Sequence, residues 1–278
     1  MRIWQADLYR RPLRDEAGNP LWEVVVCEGD RALLIAACPQ PSLSSAWLTA
    51  QITTAVNLHG QPDRLLVFRP QSLSLLETAC QSLGISVAAT RHTPQLHALL
   101  EQRALDYPHL PNYTGEAYDP VALDRPPPLP LADNLWGESW RFAAIAASDL
   151  DLVFGDRPIP IRVWPEALIP QTLKLASTTM VPGVIIYGGR QSMRLARWLE
   201  QADPVSLHYI PGAPDGLILE AGLVDRWILT TFDDPEAIAA GQTYQQRLQT
   251  SQGLHFLLVQ PDDSGVTYTG LWLLQTAT

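Results

Sequence analysis

The spacing of apolar positions changes along the chain, and the changes mark out its elements. Residues 3–9 alternate loosely between apolar and polar, the pattern of a strand. Turn chemistry at 14–20 follows, then a valine-rich run at 21–27. Glu28-Gly29-Asp30 is a compact hairpin signal, and 31–38 reads as a third strand. Pro39 and Pro41 break it. Ser42 or Ser44 then caps a helix to about His59, with Trp47, Ile52, Ala55, Val56 and His59 on roughly one face. A buried strand at 64–68, a helix at 72–83 stopped by Gly84, a strand at 85–90 and a short helix at 94–103 complete this part. Later come apolar runs at 140–147, 150–154 and 159–164, a helix over 165–178, a strand at 183–187, a helix at 191–202 and a strand at 205–210. Strands at 217–223 and 226–232 precede a helix at 234–250, capped by Asp233 or Asp234. A hairpin, 254–260 and 266–274 about Asp262-Asp263-Ser264-Gly265, ends the pattern.

Prolines crowd the middle, with Pro126-Pro127-Pro128 and Pro130 together. The organisation expected is an N-terminal domain at 1–105, a proline-rich linker at 106–134 and a C-terminal domain at 135–278. The linker reads as a stiff spacer, partly polyproline II, or as a ligand for a proline-reading module. A weak repeat joins the halves. Leu66-Val67-Phe68 and Ile185-Ile186-Tyr187 both lead into helices, and Gln71-Ser72-Leu73 answers Gln191-Ser192-Met193. The same spacing pairs Leu75 with Leu195 and Gln81 with Gln201. The fold class expected is α/β, with two tandem related halves and mixed sheets.

Composition narrows the functions. With 46% hydrophobic and 17% charged residues in 278, the chain has material for a real core, and global disorder is excluded. A formal charge of −10 excludes a general basic coat for nucleic acid. Lys174 is the sole lysine among 19 basic residues, so the rest are arginines, whose planar forks suit phosphate and aromatic faces. Cys27, Cys38 and Cys80 are odd in number and lack a CxxC spacing, which argues against a disulfide framework or a zinc site. Residues 1–7 carry no apolar signal region, no transit peptide is visible, and no apolar run is long enough to cross a bilayer. The location expected is the cytoplasm.

The order of elements in the first third resembles a ribonuclease H-like fold. Active members of that fold gather carboxylates from the first strand, first helix, fourth strand and last helix around two metals. Here Asp7 lies on the first strand, but the first helix and fourth strand have no acid. The carboxylate set is incomplete, so a two-metal nuclease of this type is disfavoured and no metal site is expected. A divergent metal-dependent nuclease around Asp7 and Glu23 is an alternative; otherwise both are exposed strand residues. The strand-to-helix turns at Phe68-Arg69-Pro70-Gln71-Ser72 and Tyr187-Gly188-Gly189-Arg190-Gln191-Ser192 are more suggestive. Helix N-termini offer free N–H groups to anions, and arginine adds a fork. Arg69 and Arg190 are candidate phosphate contacts, unless these are ordinary tight turns. Arg10 and Arg11 are further candidates. Nine tryptophans offer rings for stacking, though most should be core, and Trp4 and Trp22 are placed to pair across the first hairpin.

The opening Trp4-Gln5-Ala6-Asp7-Leu8-Tyr9-Arg10-Arg11-Pro12, the Leu21-Trp22-Glu23 run and the late Trp272-Leu273-Leu274 tripeptide form an ordered set. In this order and at both ends, they resemble the Tab-two/Atab-two family of RNA-binding translation factors of chloroplasts, with cyanobacterial relatives. The resemblance runs along essentially the whole chain. It implies non-catalytic binding of A/U-rich single-stranded RNA, promoting translation and biogenesis of photosystem proteins, with no cofactor. It carries Trp272, Leu273 and Leu274 over as a candidate RNA-binding motif; by burial tendency alone Trp272 is a core anchor. A photosystem assembly factor that binds protein rather than RNA is the competing reading.

Overall fold

The alternating N-terminal positions fold as β1 (Ile3–Arg14), β2 (Pro20–Glu28) and β3 (Arg31–Pro39), an antiparallel meander. The computed structural model describes residues 2–276; Met1, Ala277 and Thr278 lie outside them. It divides into two units, Met1–Asp124 and Arg125–Thr278.

In the first unit, α1 (Ser45–His59) is capped by Ser44, whose Oγ accepts the Trp47 N–H at 3.2 Å. β4 (Arg64–Val67), α2 (Pro70–Gln81), β5 (Ser86–Ala89) and α3 (Pro94–Asp106) follow. β4 lies parallel to β1 and β5 parallel to β4, so the sheet order is β3-β2-β1-β4-β5. This is the ribonuclease H-like order expected. One sheet face, with Trp4, Ala6, Leu8, Val24 and Val26, packs on Leu48 and Ile52 of α1 and Leu76 of α2. The opposite face, with Val25 and Cys27, packs on Leu96 and Leu100 of α3. A strand covered on both faces must bury whatever it carries on either. Asp7, Arg11 and Glu23 share this second face and are buried, contrary to the expectation that Asp7 and Glu23 are exposed. Trp4 and Trp22 do not pair: the register sets Trp22 opposite Arg10, and its ring meets Tyr9 edge-on at 6.1 Å.

The second unit holds β6 (Leu129–Pro130), β7 (Ser139–Ala146), α4 (Asp149–Phe154), β8 (Ile161–Val163) and β9 (Met180–Tyr187). Then come α5 (Ser192–Ala202), β10 (Pro204–Ile210), β11 (Asp215–Ala221), β12 (Asp225–Phe232), α6 (Pro235–Thr250), β13 (Leu254–Gln260) and β14 (Gly270–Gln275). They build two mixed sheets, β7-β9-β13-β14-β8 and β10-β11-β12-β6. One core joins Val184, Leu257 and Trp272 of the first sheet, Leu207 and Leu219 of the second, and Leu195 of α5. The strand–helix–strand likeness between the halves stops at the last strand. β4 and β5 share a sheet, whereas β9 and β10 lie in different sheets. The helix expected over 165–178 is a 3-10 turn at Glu166–Leu168 followed by further turns, because Pro170 interrupts the hydrogen-bond ladder.

The proline-rich stretch is held down along its length rather than running as a bare spacer. After α3, Tyr107 is buried, Leu13 bridges to Tyr113, and Thr114 N donates to Pro12 O at 3.0 Å. Further on, Leu129 and Pro130 pair with Trp227 and Ile228 of β12, and Leu131 and Leu135 enter the second unit's core. Carbonyls of this stretch that its own turns leave free accept from arginine side chains. Arg69 donates to Pro120 O and Ala122 O in the first unit, and Arg226 donates to Pro126 O in the second.

Candidate nucleic-acid interface

Helical spacing explains a basic stripe on the surface of the second unit. α5 turns Leu195, Ala196 and Leu199 into the core. Arg194, Arg197, Trp198 and Gln201 then fall on outward positions, and Arg190 precedes them by one turn. Arg190, Arg194 and Arg197 are exposed, and none makes an ion pair among the described residues. With Trp198, Met193 and Asn134 they line an open groove of about 560 Å³. Trp198 is fixed by an edge-on contact with Trp227, ring centres 5.4 Å apart. The turn entering α5 needs glycine: Gly189 has φ +52°, and a Cβ there would meet Glu138 Oε1 at 1.9 Å. Unpaired arginine forks beside a half-buried indole can hold phosphates and offer a ring edge to a base.

The other candidate arginines separate sharply. Arg10 is exposed on β1 of the first unit. Arg69 and Arg11 are interior, which corrects their assignment as phosphate contacts. Arg69 turns back from the start of α2 and donates from Nε to Asp7 Oδ1 at 2.8 Å. Its guanidinium lies 3.9 Å from the Tyr9 ring centre. Arg11 donates to Asp7 Oδ2 at 2.9 Å, Glu23 Oε1 at 3.3 Å and the Tyr118 hydroxyl at 2.7 Å. Glu23 also accepts from Arg103 Nη2 at 2.5 Å and from the Tyr107 hydroxyl at 3.0 Å. Burial pushes the Tyr107 and Tyr118 phenols up, so both stay protonated, Tyr107 donating to Glu23 and Tyr118 accepting from Arg11. Each Asp7 oxygen therefore faces a guanidinium where a two-metal nuclease would present it to metal. Among the described residues no three His, Cys, Asp or Glu side chains gather at metal-holding distance.

Trp272, Leu273 and Leu274 are also interior, so they offer no face to RNA. Alternation on β14 points Trp272 and Leu274 into the core between the sheets and Leu273 to the opposite core. One further cluster has a catalytic look. Ser206 Oγ lies 2.8 Å from His208 Nε2, and Glu220 Oε2 lies 3.7 Å from the same nitrogen. A nucleophile relay needs the carboxylate on the other ring nitrogen, so this is not one. Arg194, Arg197 and Trp198 were missed by reading motifs, although their spacing from Arg190 is a helical stripe visible in the sequence.

Comparison with known proteins bears on this geometry. Residues 3–103 match the family model described as RNA-binding protein Tab2/Atab2 N terminal, and residues 118–275 match that of the same RNA-binding protein's C-terminal domain. Proteins named "Protein TAB2 homolog, chloroplastic" from Arabidopsis thaliana and Zea mays are each 27% identical over 281 residues. The alignments cover 99% of this chain, with 74% of the Arabidopsis and 71% of the maize protein. Among solved structures, the HTLV-2 integrase catalytic core with magnesium, trimeric form, shares 17% identity over 40% of this chain and 76% of its own, at a TM-score of 0.27. A likeness that slight carries no argument about activity. No described helix is long and apolar enough to cross a membrane.

Proposed function

The chain belongs to the Tab2/Atab2 family of RNA-binding proteins, and from that premise we propose that it binds single-stranded RNA along the groove of Arg190, Arg194 and Arg197. One observation carries the reading. In a chain of charge −10, three exposed arginines that make no ion pair among the described residues line one groove beside Trp198, at and after the start of α5. Local convergence is what a strand of phosphates needs, and the distant acids are screened at about 8 Å in physiological salt. The target is A/U-rich RNA, bound without catalysis, and binding promotes translation of photosystem proteins in the cytoplasm of a cyanobacterium. Support for these finer statements is the family resemblance.

Filter binding at several salt concentrations tests this, with A/U-rich and G/C-rich RNA of equal length. The parent should favour A/U-rich RNA. Replacing the three groove arginines with alanine should lower the salt slope by about 2, since each single-strand phosphate contact contributes about 0.7. Parental affinity no better than that of an unrelated acidic protein would overturn the reading. So would a pulldown of photosystem subunits that survives ribonuclease while RNA binding is absent; it would favour protein assembly.

A further inference from the structure

The proline-rich stretch builds a second feature beside the arginine groove. Leu131 and Leu135 cover the core of the second unit. With Leu195, Leu217 and Leu229 they wall a cavity of about 340 Å³. Trp136 stands among its lining residues. Its indole N–H donates to Leu131 O at 2.9 Å, so the ring is fixed, yet the residue is 46% exposed. A large, rigid, half-exposed ring is a stacking platform. Polar groups are few: Glu138, Ser139 and Thr230 also border the cavity. Leu135 lines the cavity and the arginine groove alike, so the two share a wall.

We infer that this cavity holds one unstacked nucleobase of the strand whose phosphates lie along Arg190, Arg194 and Arg197. The inference rests on the RNA-binding reading above. Size and chemistry select the occupant. Small-ligand pockets run from roughly 300 to 1,000 Å³, and this one lies near the bottom, fit for a single planar ring system. Leucine walls suit the faces of a base, and Trp136 suits stacking. The Glu138 carboxylate and Ser139 hydroxyl can accept N–H groups from a base edge. Glu138 also repels phosphate, which keeps the backbone in the groove and sends only the base inward. Single-stranded RNA is read in this manner, by splayed bases on aromatic side chains with edge hydrogen bonds.

The test compares short oligoadenylate and oligouridylate with an abasic ribose–phosphate oligomer of the same length. Trp136→Ala should weaken binding of a base-bearing oligomer about tenfold, within the range of one stacked base, and leave abasic binding unchanged. Trp136→Phe, which keeps a ring, should restore most of the loss. A 2-aminopurine in the oligomer should be quenched by the parent and not by Trp136→Ala. Equal weakening on base-bearing and abasic oligomers would make Trp136 a support of the fold and overturn the inference. If Trp136→Ala binds as the parent does while the triple arginine variant loses binding, the cavity inference falls and the RNA reading stands. If the parent binds no oligomer, both fall.

Discussion

Replacing Arg69 with alanine is the sharpest test of the buried charge network. The guanidinium gives Nε to Asp7 at 2.8 Å, one terminal nitrogen to Ala122 O, and the other to Pro120 O at 2.5 Å. It also lies over Tyr9 and Phe68 at 3.9 and 4.7 Å. Removing one partner of a buried ion pair costs about 3–5 kcal/mol, because the other charge stays buried. Arg11 still touches Asp7 and reduces that cost, while the two orphaned carbonyls add to it, by about 1–3 kcal/mol each where water does not replace the donor. A net loss of about 4 kcal/mol is large beside a domain stability of about 5–15. In urea, with a slope near 2 kcal/mol/M, the midpoint of the first unit should fall by about 2 M. Hydrogen exchange would follow β1 and the backbone at 118–124, which should lose protection together. Arg69→Lys keeps the charge without the fork and should fall between parent and alanine. Neutralising both partners, as Asp7→Asn with Arg69→Met, should cost less than the sum of the single changes. A midpoint within about 0.5 M of the parent would refute the reasoning. Unchanged stability with lost RNA affinity would go further and restore Arg69 as a phosphate contact.

Trp272→Ala removes the largest fully buried side chain of the core between the two sheets of the second unit and should cost about 3–5 kcal/mol. RNA affinity measured on the folded fraction should not change; a loss there would return Trp272 to the binding surface. Burial pushes the Cys27 and Cys80 thiols up to about 11, so iodoacetamide at neutral pH should label them only as the chain unfolds, which mass spectrometry after brief exposure would show. Burial holds His255 at about 4, with Nε2 accepting the Leu207 N–H and Nδ1 donating to Gly253 O. Above the ordinary histidine value of about 6.5 both states are neutral and nothing changes. Between there and about 4 the unfolded chain takes up a proton and the folded one does not, so stability falls with pH by up to about 3 kcal/mol. Denaturant midpoints of the parent and His255→Gln across that window should converge at the acid end; parallel curves would refute it.

Much of the fold was legible because its causes are local. Ser44 and Asp234 cap helices and Gly84 follows one at φ +66°; the late hairpin pairs as expected, but across the longer connection 261–269, so its second strand begins at Gly270. The burial of Asp7 and Glu23 was not legible, because it depends on what covers the far face of the sheet. α3 and the stretch after it come from residues about a hundred positions along the chain, and no period within β1 announces them. A partial signal existed: Asp7 and Arg11 stand four apart on one strand, hence on one face, with opposite charges. The interface failed for a different reason. A single turn shows only its own anion site, whereas the arginines that line one groove with Arg190 lie one and two turns further along α5, and only the helix as a whole brings them together.

Arginine therefore serves two ends in this chain, and burial separates them. In the first unit Arg69 and Arg11 are taken up by Asp7, Glu23 and the carbonyls of the turn at Pro120 and Ala122. That task needs a planar donor with several N–H groups at fixed angles, which lysine does not have. In the second unit Arg190, Arg194 and Arg197 make no ion pair among the described residues and are exposed. A chain of net charge −10 is compatible with RNA binding on these terms: neutralisation in one place and exposure in another leave a short basic stripe that the overall charge does not reveal. The count of bases was the wrong quantity; the number left without a partner on one face is the one that phosphates meet.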